Sequence, residues 1–130
     1  MKKKRTILYV DDEEINLLLF EINFKEKYNV IGTDSPAKGL LILKSNHDIS
    51  VVISDMRMPN MNGIQFIKKA KKKFPKICYF ILTGYDITDE ISDALDSKLI
   101  VFYFKKPFNM KEIDNSIEKV FSDNHELSDV

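Results

Sequence analysis

Residues 6–12 read Thr-Ile-Leu-Tyr-Val-Asp-Asp, a short apolar run of β type that ends on two acidic residues. Four further apolar runs follow along the chain, at Val30–Ile31, Val51–Ile53, Tyr79–Leu82 and Val101–Phe104. Their apolar residues are continuous and do not alternate with polar ones. This pattern is typical of strands that are covered on both faces, as in a parallel sheet.

Between and after these runs, apolar residues recur at helical spacing and predict five helices. The residues are Ile15, Leu18, Leu19 and Ile22; Ala37, Leu40 and Leu41; Phe66, Ile67, Ala70 and Phe74; Ile87, Ile91, Ala94 and Leu95; and Ile113, Ile117, Val120 and Phe121. Ser35-Pro36 is a good start for the second helix, Asp86 or Thr88 for the fourth, and Asn109 for the fifth. Five strand–helix units in series predict an α/β fold with helices on both faces of one parallel sheet.

Length and composition narrow the class of protein. The 130 residues fit one domain, and 44% hydrophobic with 31% charged residues indicates a globular chain. Twenty basic residues balance twenty acidic ones, which disfavours direct nucleic-acid binding. The lysines at positions 68, 69, 71, 72 and 73 are accordingly interpreted as the solvated face of the third helix.

The start of the chain, its apolar runs and its single cysteine indicate where in the cell the protein is located. Met1–Arg5 lacks the apolar stretch of a secretion signal, and the longest apolar runs, such as Ile77–Leu82, are too short to span a membrane. Cys78 alone forms no intrachain disulfide and excludes a cysteine-rich zinc site. We expect a cytoplasmic protein with no membrane contact, a disordered basic start at 1–5, a folded domain at 6–121 and a polar tail at 122–130.

Polar residues follow the predicted strands where a parallel sheet places its ligands, at the carboxyl ends. Asp11 and Asp12 follow the first strand, Asp55 the third, Thr83 the fourth and Lys106 the fifth. Clustered carboxylates repel one another, and a hard divalent cation such as Mg²⁺, or Mn²⁺, removes the repulsion. One carboxylate can then attack phosphorus while a lysine spreads the charge of the transferring group.

These residues resemble the receiver domain of two-component response regulators over Thr6–Phe121. The resemblance rests on four motifs: Asp11-Asp12; Asp55 with Met58-Pro59 and Gly63; Thr83-Gly84; and Lys106-Pro107-Phe108. It implies a flavodoxin-like, doubly wound sheet of five parallel strands in the order 2-1-3-4-5. It also implies a phosphoprotein of a two-component system that is not a turnover enzyme.

The resemblance also implies a role for each acidic residue. Asp55 would accept a phosphoryl group from a phosphohistidine of a sensor histidine kinase or phosphotransfer protein. Asp12 and Asp55 would bind Mg²⁺ directly, together with the backbone carbonyl of Arg57. Asp11 would hold the ion mostly through water.

The remaining roles implied by the resemblance concern how phosphorylation of Asp55 would change a surface that contacts partners. Lys106 would pair with the phosphoryl oxygens, and Thr83 would turn its hydroxyl toward them while Tyr103 acts as an aromatic switch. The fourth helix, fifth strand and fifth helix, roughly Thr88–Phe121, would then contact a downstream effector protein. The aromatic residues Phe102–Phe104 are compatible with a homodimer that forms on phosphorylation through this surface.

Two other functions use the same residues. One is a Mg²⁺-dependent phosphohydrolase with an aspartyl-phosphate intermediate, but the haloacid-dehalogenase pattern has a second aspartate two residues after the nucleophile, where this chain has Arg57. A docking module that works without phosphorylation would not need the acidic pair or Lys106. A flavin-binding protein of this topology is disfavoured, because a cofactor phosphate calls for amides and hydroxyls after the first strand, where this chain is acidic.

Overall fold

Five parallel strands form one sheet in the computed structural model, which describes residues 4–84 and 86–128, the last six of them by their backbone alone. The strands are β1 (Thr6–Val10), β2 (Asn29–Thr33), β3 (Ile49–Asp55), β4 (Cys78–Thr83) and β5 (Phe102–Lys105). Their order is β2-β1-β3-β4-β5, and all four neighbouring pairs are parallel. The predicted flavodoxin-like topology is confirmed.

Helices connect the strands and cover both faces of the sheet. They are α1 (Glu14–Phe24), α2 (Pro36–Ser45), α3 (Gly63–Lys73), α4 (Asp89–Asp96) and α5 (Met110–Ser128). The Ser35 hydroxyl caps α2, and of the two residues considered for α4 it is Thr88 that caps the helix. Asn109 accepts a hydrogen bond from the Glu112 amide at 3.0 Å, so the predicted starts of all three helices are confirmed.

Two apolar layers lie on opposite faces of the sheet. Side chains of β1 alternate between them: Leu8 and Val10 join the layer beneath α2, α3 and α4, whereas Ile7 and Tyr9 join the layer beneath α1 and α5. All five residues of β1 are buried, as a strand covered on both faces requires. Each helix is therefore fixed to one side of the sheet.

The apolar stripe that predicted α1 does not face the core. Ile15, Leu18, Leu19 and Ile22 are between 44% and 58% exposed. Buried Phe20 and Phe24 hold the helix to the sheet instead, and the Phe20 ring stacks on Tyr9 at 4.2 Å. Because α1 carries apolar residues on both sides, its spacing alone did not decide which side is buried; the larger aromatic rings occupy the core.

The two ends of the described chain differ from the sequence prediction. The Arg5 guanidinium lies 4.2 Å from the centre of the Phe121 ring and 3.4 Å from Glu118, so this part of the predicted disordered start packs on α5. Residues 1–3 lie outside the described residues. Helix α5 continues to Ser128 because no proline or glycine interrupts residues 122–128, which we predicted as a polar tail. Residues 129 and 130 lie outside the described residues.

No helix in the described part of the chain combines the length and the apolar content needed to cross a membrane.

Candidate functional site

Backbone hydrogen bonds just beyond the strand ends hold the predicted site residues at one edge of the sheet. The Asp11 amide donates to the Thr33 carbonyl at 3.1 Å, and the Met56 amide, next to Asp55, donates to the Leu82 carbonyl at 3.2 Å. The Lys106 amide donates to the Thr83 carbonyl at 2.7 Å. These bonds continue the ladder past the strands, so the loops leave the sheet in fixed directions.

The three predicted acidic residues come together at this edge. Asp11, Asp12 and Asp55 each offer a carboxylate oxygen, and the three oxygens lie within 4.8 Å of one another. Asp11 is fully buried and Asp55 is 5% exposed, whereas Asp12 is exposed. An all-oxygen set of carboxylates that is open on one side suits Mg²⁺ or Mn²⁺, which retain water and phosphate ligands.

Lys106 connects two of these carboxylates. Its Nζ lies 3.2 Å from Asp55 Oδ1 and 3.3 Å from Asp11 Oδ2. Two acidic residues from different strands thus share one ammonium group. The peptide bond between Lys106 and Pro107 is cis.

Asp11 has a further partner that the sequence analysis missed. The Tyr9 hydroxyl donates to Asp11 Oδ2 at 2.6 Å, and the Glu13 amide donates to Asp11 Oδ1 at 3.0 Å. With Lys106, three donors occupy a carboxylate that has about four acceptor positions. Tyr9 lies on β1 two residues before Asp11, which directly follows the strand. The alternation of side chains was the one available signal, and it did not reveal this contact.

Burial and charge shift the ionisation of the site. Burial, reinforced by the Asp11 carboxylate, raises the pKa of Asp55 to about 6, although Lys106 acts in the opposite direction. Burial by itself lowers the pKa of Lys106, but Asp55 and Asp11 outweigh this effect and the pKa lies above its usual value. Burial and the hydrogen bond to Asp11 hold the pKa of Tyr9 well above its usual range. At neutral pH the Asp55 carboxylate is therefore mainly ionised and lies beside a charged lysine.

Gly63 allows the loop after Asp55 to close tightly. Its amide donates to the Met56 carbonyl at 2.8 Å. A Cβ atom at this position would collide with the Asp55 carbonyl oxygen and would lie 2.7 Å from the Ile81 side chain. Real Cβ atoms do not approach other atoms so closely, so glycine is required here for steric reasons.

The other predicted residues surround this centre. Thr83 is 1% exposed at the end of β4, and Tyr103 is half-buried on β5, packed against the layer beneath α3 and α4. Arg57 is exposed and lies in the loop after Asp55. The ligand role of its backbone carbonyl and the switch roles of Thr83 and Tyr103 stay predictions.

A contact between the loop after Asp55 and α4 was also missed. The Asn62 side-chain amide donates to both Glu90 carboxylate oxygens, at 3.2 and 3.3 Å. Asn62 also caps α3, where its side chain accepts a hydrogen bond from the Gln65 amide. These two residues are 28 positions apart, and no periodic pattern links them.

The fold and this edge define a class: a flavodoxin-like α/β protein with a carboxylate cluster and a lysine at the carboxyl ends of its strands. The family model described as the response regulator receiver domain matches residues 7–118. The chain belongs to the response regulator receiver domain family, which is generally not a family of turnover enzymes.

Curated relatives agree with this assignment. Over 115 residues the chain is 32% identical to sporulation initiation phosphotransferase F of Bacillus subtilis, covering 87% of this chain and 90% of that protein. It is 29% identical over 120 residues to response regulator receiver protein CpdR of Brucella abortus, covering 90% of this chain and 96% of that protein. The match to hydrogenase transcriptional regulatory protein HoxA of Cupriavidus necator is 29% identical and covers 82% of this chain but 22% of that protein.

Solved structures agree as well. A response regulator receiver domain protein from Clostridium thermocellum superposes with a TM-score of 0.85 at 28% identity, covering 94% of this chain and 98% of that one. The family and the fold are thus supported by both the sequence match and the structural match.

Proposed function

We propose that this chain is a phospho-accepting receiver domain in which Asp55 takes a phosphoryl group from a phosphohistidine of a sensor histidine kinase or phosphotransfer protein. The observation that carries the proposal is the meeting of Asp11, Asp12 and Asp55 with Lys106 at one edge of the sheet. Membership of the receiver domain family supports it. A cytoplasmic location forms part of the same proposal.

The transfer step follows from the geometry of Asp55 and Lys106. A carboxylate oxygen of Asp55 forms a bond to phosphorus while the bond from phosphorus to the donor imidazole nitrogen breaks. The electron pair stays on that nitrogen, which takes up a proton from solvent. With a pKa of about 6, Asp55 is mainly ionised at neutral pH and is available as the nucleophile. Lys106, 3.2 Å from Asp55, is placed to offset the charge of the incoming group.

The donor set fits a hard cation. Mg²⁺, or Mn²⁺, would be held by Asp12, Asp55 and the Arg57 carbonyl, with Asp11 acting through water. The three hydrogen bonds that Asp11 accepts leave it little capacity for direct ligation, which supports the last assignment. A bound divalent ion supplies positive charge that reduces the repulsion among the carboxylates and the phosphoryl oxygens.

Phosphorylation would act as a local change of charge with a readout at a distance. It adds about −1.5 to −2 charges beside Thr83 and Lys106. In this proposal Thr83 and Tyr103 then move together and change the surface of α4, β5 and α5 that contacts an effector protein. The hydrogen bonds from Asn62 to Glu90 give the loop after Asp55 a direct connection to α4. Exposed Phe102, on the same surface, suits a phosphorylation-linked homodimer.

The exposed stripe of α1 suggests where the phosphoryl donor binds. Leu19 borders a pocket that also includes Lys106, Pro107 and Phe108, next to the site. A donor with apolar side chains around its phosphohistidine would cover the stripe and bring the histidine to Asp55. This contact would also account for four large apolar side chains standing exposed on one helix.

Phosphorylation by acetyl phosphate with Mg²⁺ tests the proposal. We expect intact-protein mass spectrometry to show one added phosphoryl group on the wild type and none on Asp55→Asn. Asp34→Asn, which removes an exposed carboxylate at the end of β2, should still be labelled. Labelling of Asp55→Asn equal to that of the wild type would reject Asp55 as the acceptor.

The same experiment distinguishes the alternatives. Rapid release of many phosphates per protein molecule would favour the Mg²⁺-dependent phosphohydrolase. A chain that neither takes up a phosphoryl group nor binds Mg²⁺ in a titration would be the docking module that works without phosphorylation.

A further inference from the structure

A groove between α2 and α3 has an apolar floor and a basic rim. Four apolar residues line it, which we call the floor: Ala37, Leu40, Leu41 and Phe74. Four lysines also line it, which we call the rim: Lys44, Lys69, Lys72 and Lys73. Leu41, 66% exposed, is the most exposed of the large hydrophobic side chains described. The groove lies on the opposite side of the sheet from α1 and α5, so the contacts of the proposed phosphoryl donor do not occupy it.

The four rim lysines are a local excess of positive charge. None of them forms an ion pair with an acidic side chain among residues 4–84 and 86–122, whose side chains the structure describes. Neighbouring lysines differ: Lys38 pairs with Asp34, and the Lys71 ammonium donates to the Lys98 carbonyl. Since the whole chain has no net charge, the basic rim is a property of this surface and not of the composition.

One face of α2 and one face of α3 line the groove, and a trough between two helices can accept a further helix. Positions 37, 40, 41 and 44 of α2 and positions 69, 72 and 73 of α3 each follow the spacing of a single helix face. The stretch from Ala37 to Lys44 is about 10 Å long at 1.5 Å per residue, or roughly two turns. A concave apolar floor between two basic edges accommodates a helix better than a flat bilayer surface.

We propose that the α2–α3 groove binds an acidic amphipathic helix of a partner protein. Apolar side chains of that helix would cover Leu40, Leu41 and Phe74, and acidic side chains on both flanks would pair with the rim lysines. Charge complementarity favours an acidic partner, because four ammonium groups without carboxylate partners would repel a basic partner. The groove would thus give the domain a second contact surface, separate from the carboxylate site.

A synthetic helical peptide with leucine on one face and glutamate on both flanks is the probe, and its scrambled form is the control peptide. Fluorescence anisotropy measures the affinity, and amide chemical-shift changes locate the bound peptide. We expect the peptide to bind the wild type, with shifts on α2 and α3, and the scrambled form to bind at least about tenfold more weakly. Binding should weaken with added salt, because exposed charges are screened within about 8 Å at physiological ionic strength.

Two double variants with the same change of charge distinguish a contact in the groove from a general effect of the surface charge. Lys69→Glu with Lys72→Glu alters the rim, whereas Lys68→Glu with Lys76→Glu alters exposed lysines nearby that do not line the groove. We expect the first pair to weaken peptide binding by about tenfold or more, and the second by no more than about threefold. Leu41→Gln, at an exposed position, tests the floor without changing charge and should also weaken binding.

Three results would overturn the proposal. One is equal weakening by the two double variants, and another is shifts located away from α2 and α3. The third is binding of the wild type to anionic phosphatidylglycerol vesicles but not to the peptide, which would make the surface a lipid contact. Circular dichroism checks that each variant is folded. Labelling of Asp55 by acetyl phosphate is measured separately, so either proposal can fail without the other.

Discussion

At the scale of single residues, the Tyr9 hydroxyl orients the Asp11 carboxylate. It donates to the buried Asp11 carboxylate at 2.6 Å, and its ring is fixed by stacking on Phe20. Groups that hydrogen-bond a metal-binding residue orient it, and their loss typically weakens metal binding by about tenfold or more. We therefore expect Tyr9→Phe to weaken Mg²⁺ binding by roughly tenfold in a calorimetric titration.

Tyr79→Phe is the matched control for this prediction. The Tyr79 hydroxyl also makes one internal hydrogen bond, to the Phe74 carbonyl at 2.8 Å, but it lies away from the carboxylates. Tyr79→Phe should bind Mg²⁺ as the wild type does. Equal affinities for the two variants would mean that the contact between Tyr9 and Asp11 does not position the site.

At the scale of elements, the turn from β3 into α3 depends on Gly63. An added Cβ atom would collide with the Asp55 carbonyl, so Gly63→Ala must push α3 away from the strand that carries Asp55. Overpacking of this kind costs about 1–3 kcal/mol, and we expect that loss in the free energy of urea unfolding. At Gly84 an added Cβ atom would meet Lys106 at 3.8 Å, an ordinary contact, so Gly84→Ala should change stability by about 0.5 kcal/mol or less. Equal losses for the two variants would contradict the steric role of Gly63.

At the scale of the whole molecule, the carboxylate cluster lowers the stability of the fold. The pKa of Asp55 is about 6 in the folded chain, and its ordinary value of 3.8 applies to the unfolded chain. Between these two pH values the folded state therefore binds more protons than the unfolded state. Stability consequently falls as pH rises from about 4 to about 6, and the full loss is present above pH 6. Without divalent ions at pH 7.5, Asp55→Asn should be more stable than the wild type by about 1–3 kcal/mol.

Unfolding at two pH values checks this prediction. Near pH 4 the difference should nearly disappear, because Asp55 is then protonated and resembles asparagine in size and charge. Saturating Mg²⁺ at pH 7.5 should reduce the difference by stabilising the wild type. Asp34→Asn, which removes a carboxylate from an exposed ion pair, is the control and should change stability by about 1 kcal/mol or less. A difference that is the same at both pH values would contradict the prediction.

Sequence patterns predicted the order of strands and helices well because strong local signals agreed. Continuous apolar runs marked all five strands, although only β1, β3 and β4 are largely buried and the edge strands β2 and β5 are partly exposed. Ser35, Thr88 and Asn109 marked the starts of helices. The sites at the strand ends followed from topology alone, since parallel strands bring their carboxyl ends to one edge. Residues 122–128, predicted as a polar tail, continue α5, because polar composition does not by itself stop a helix.

The sequence by itself determined a parallel α/β fold, the resemblance to the receiver domain family with the strand order that it implies, and which acidic and basic residues meet at the edge of the sheet. Only the tertiary structure decided which face of α1 is buried, that Tyr9 bonds Asp11, that Asn62 contacts Glu90, and that lysines of two helices enclose one groove. The physical reason is the separation along the sequence over which each effect acts. Periodicity and capping relate residues that are a few positions apart. Packing, by contrast, chooses among equivalent apolar faces and pairs polar groups across the fold.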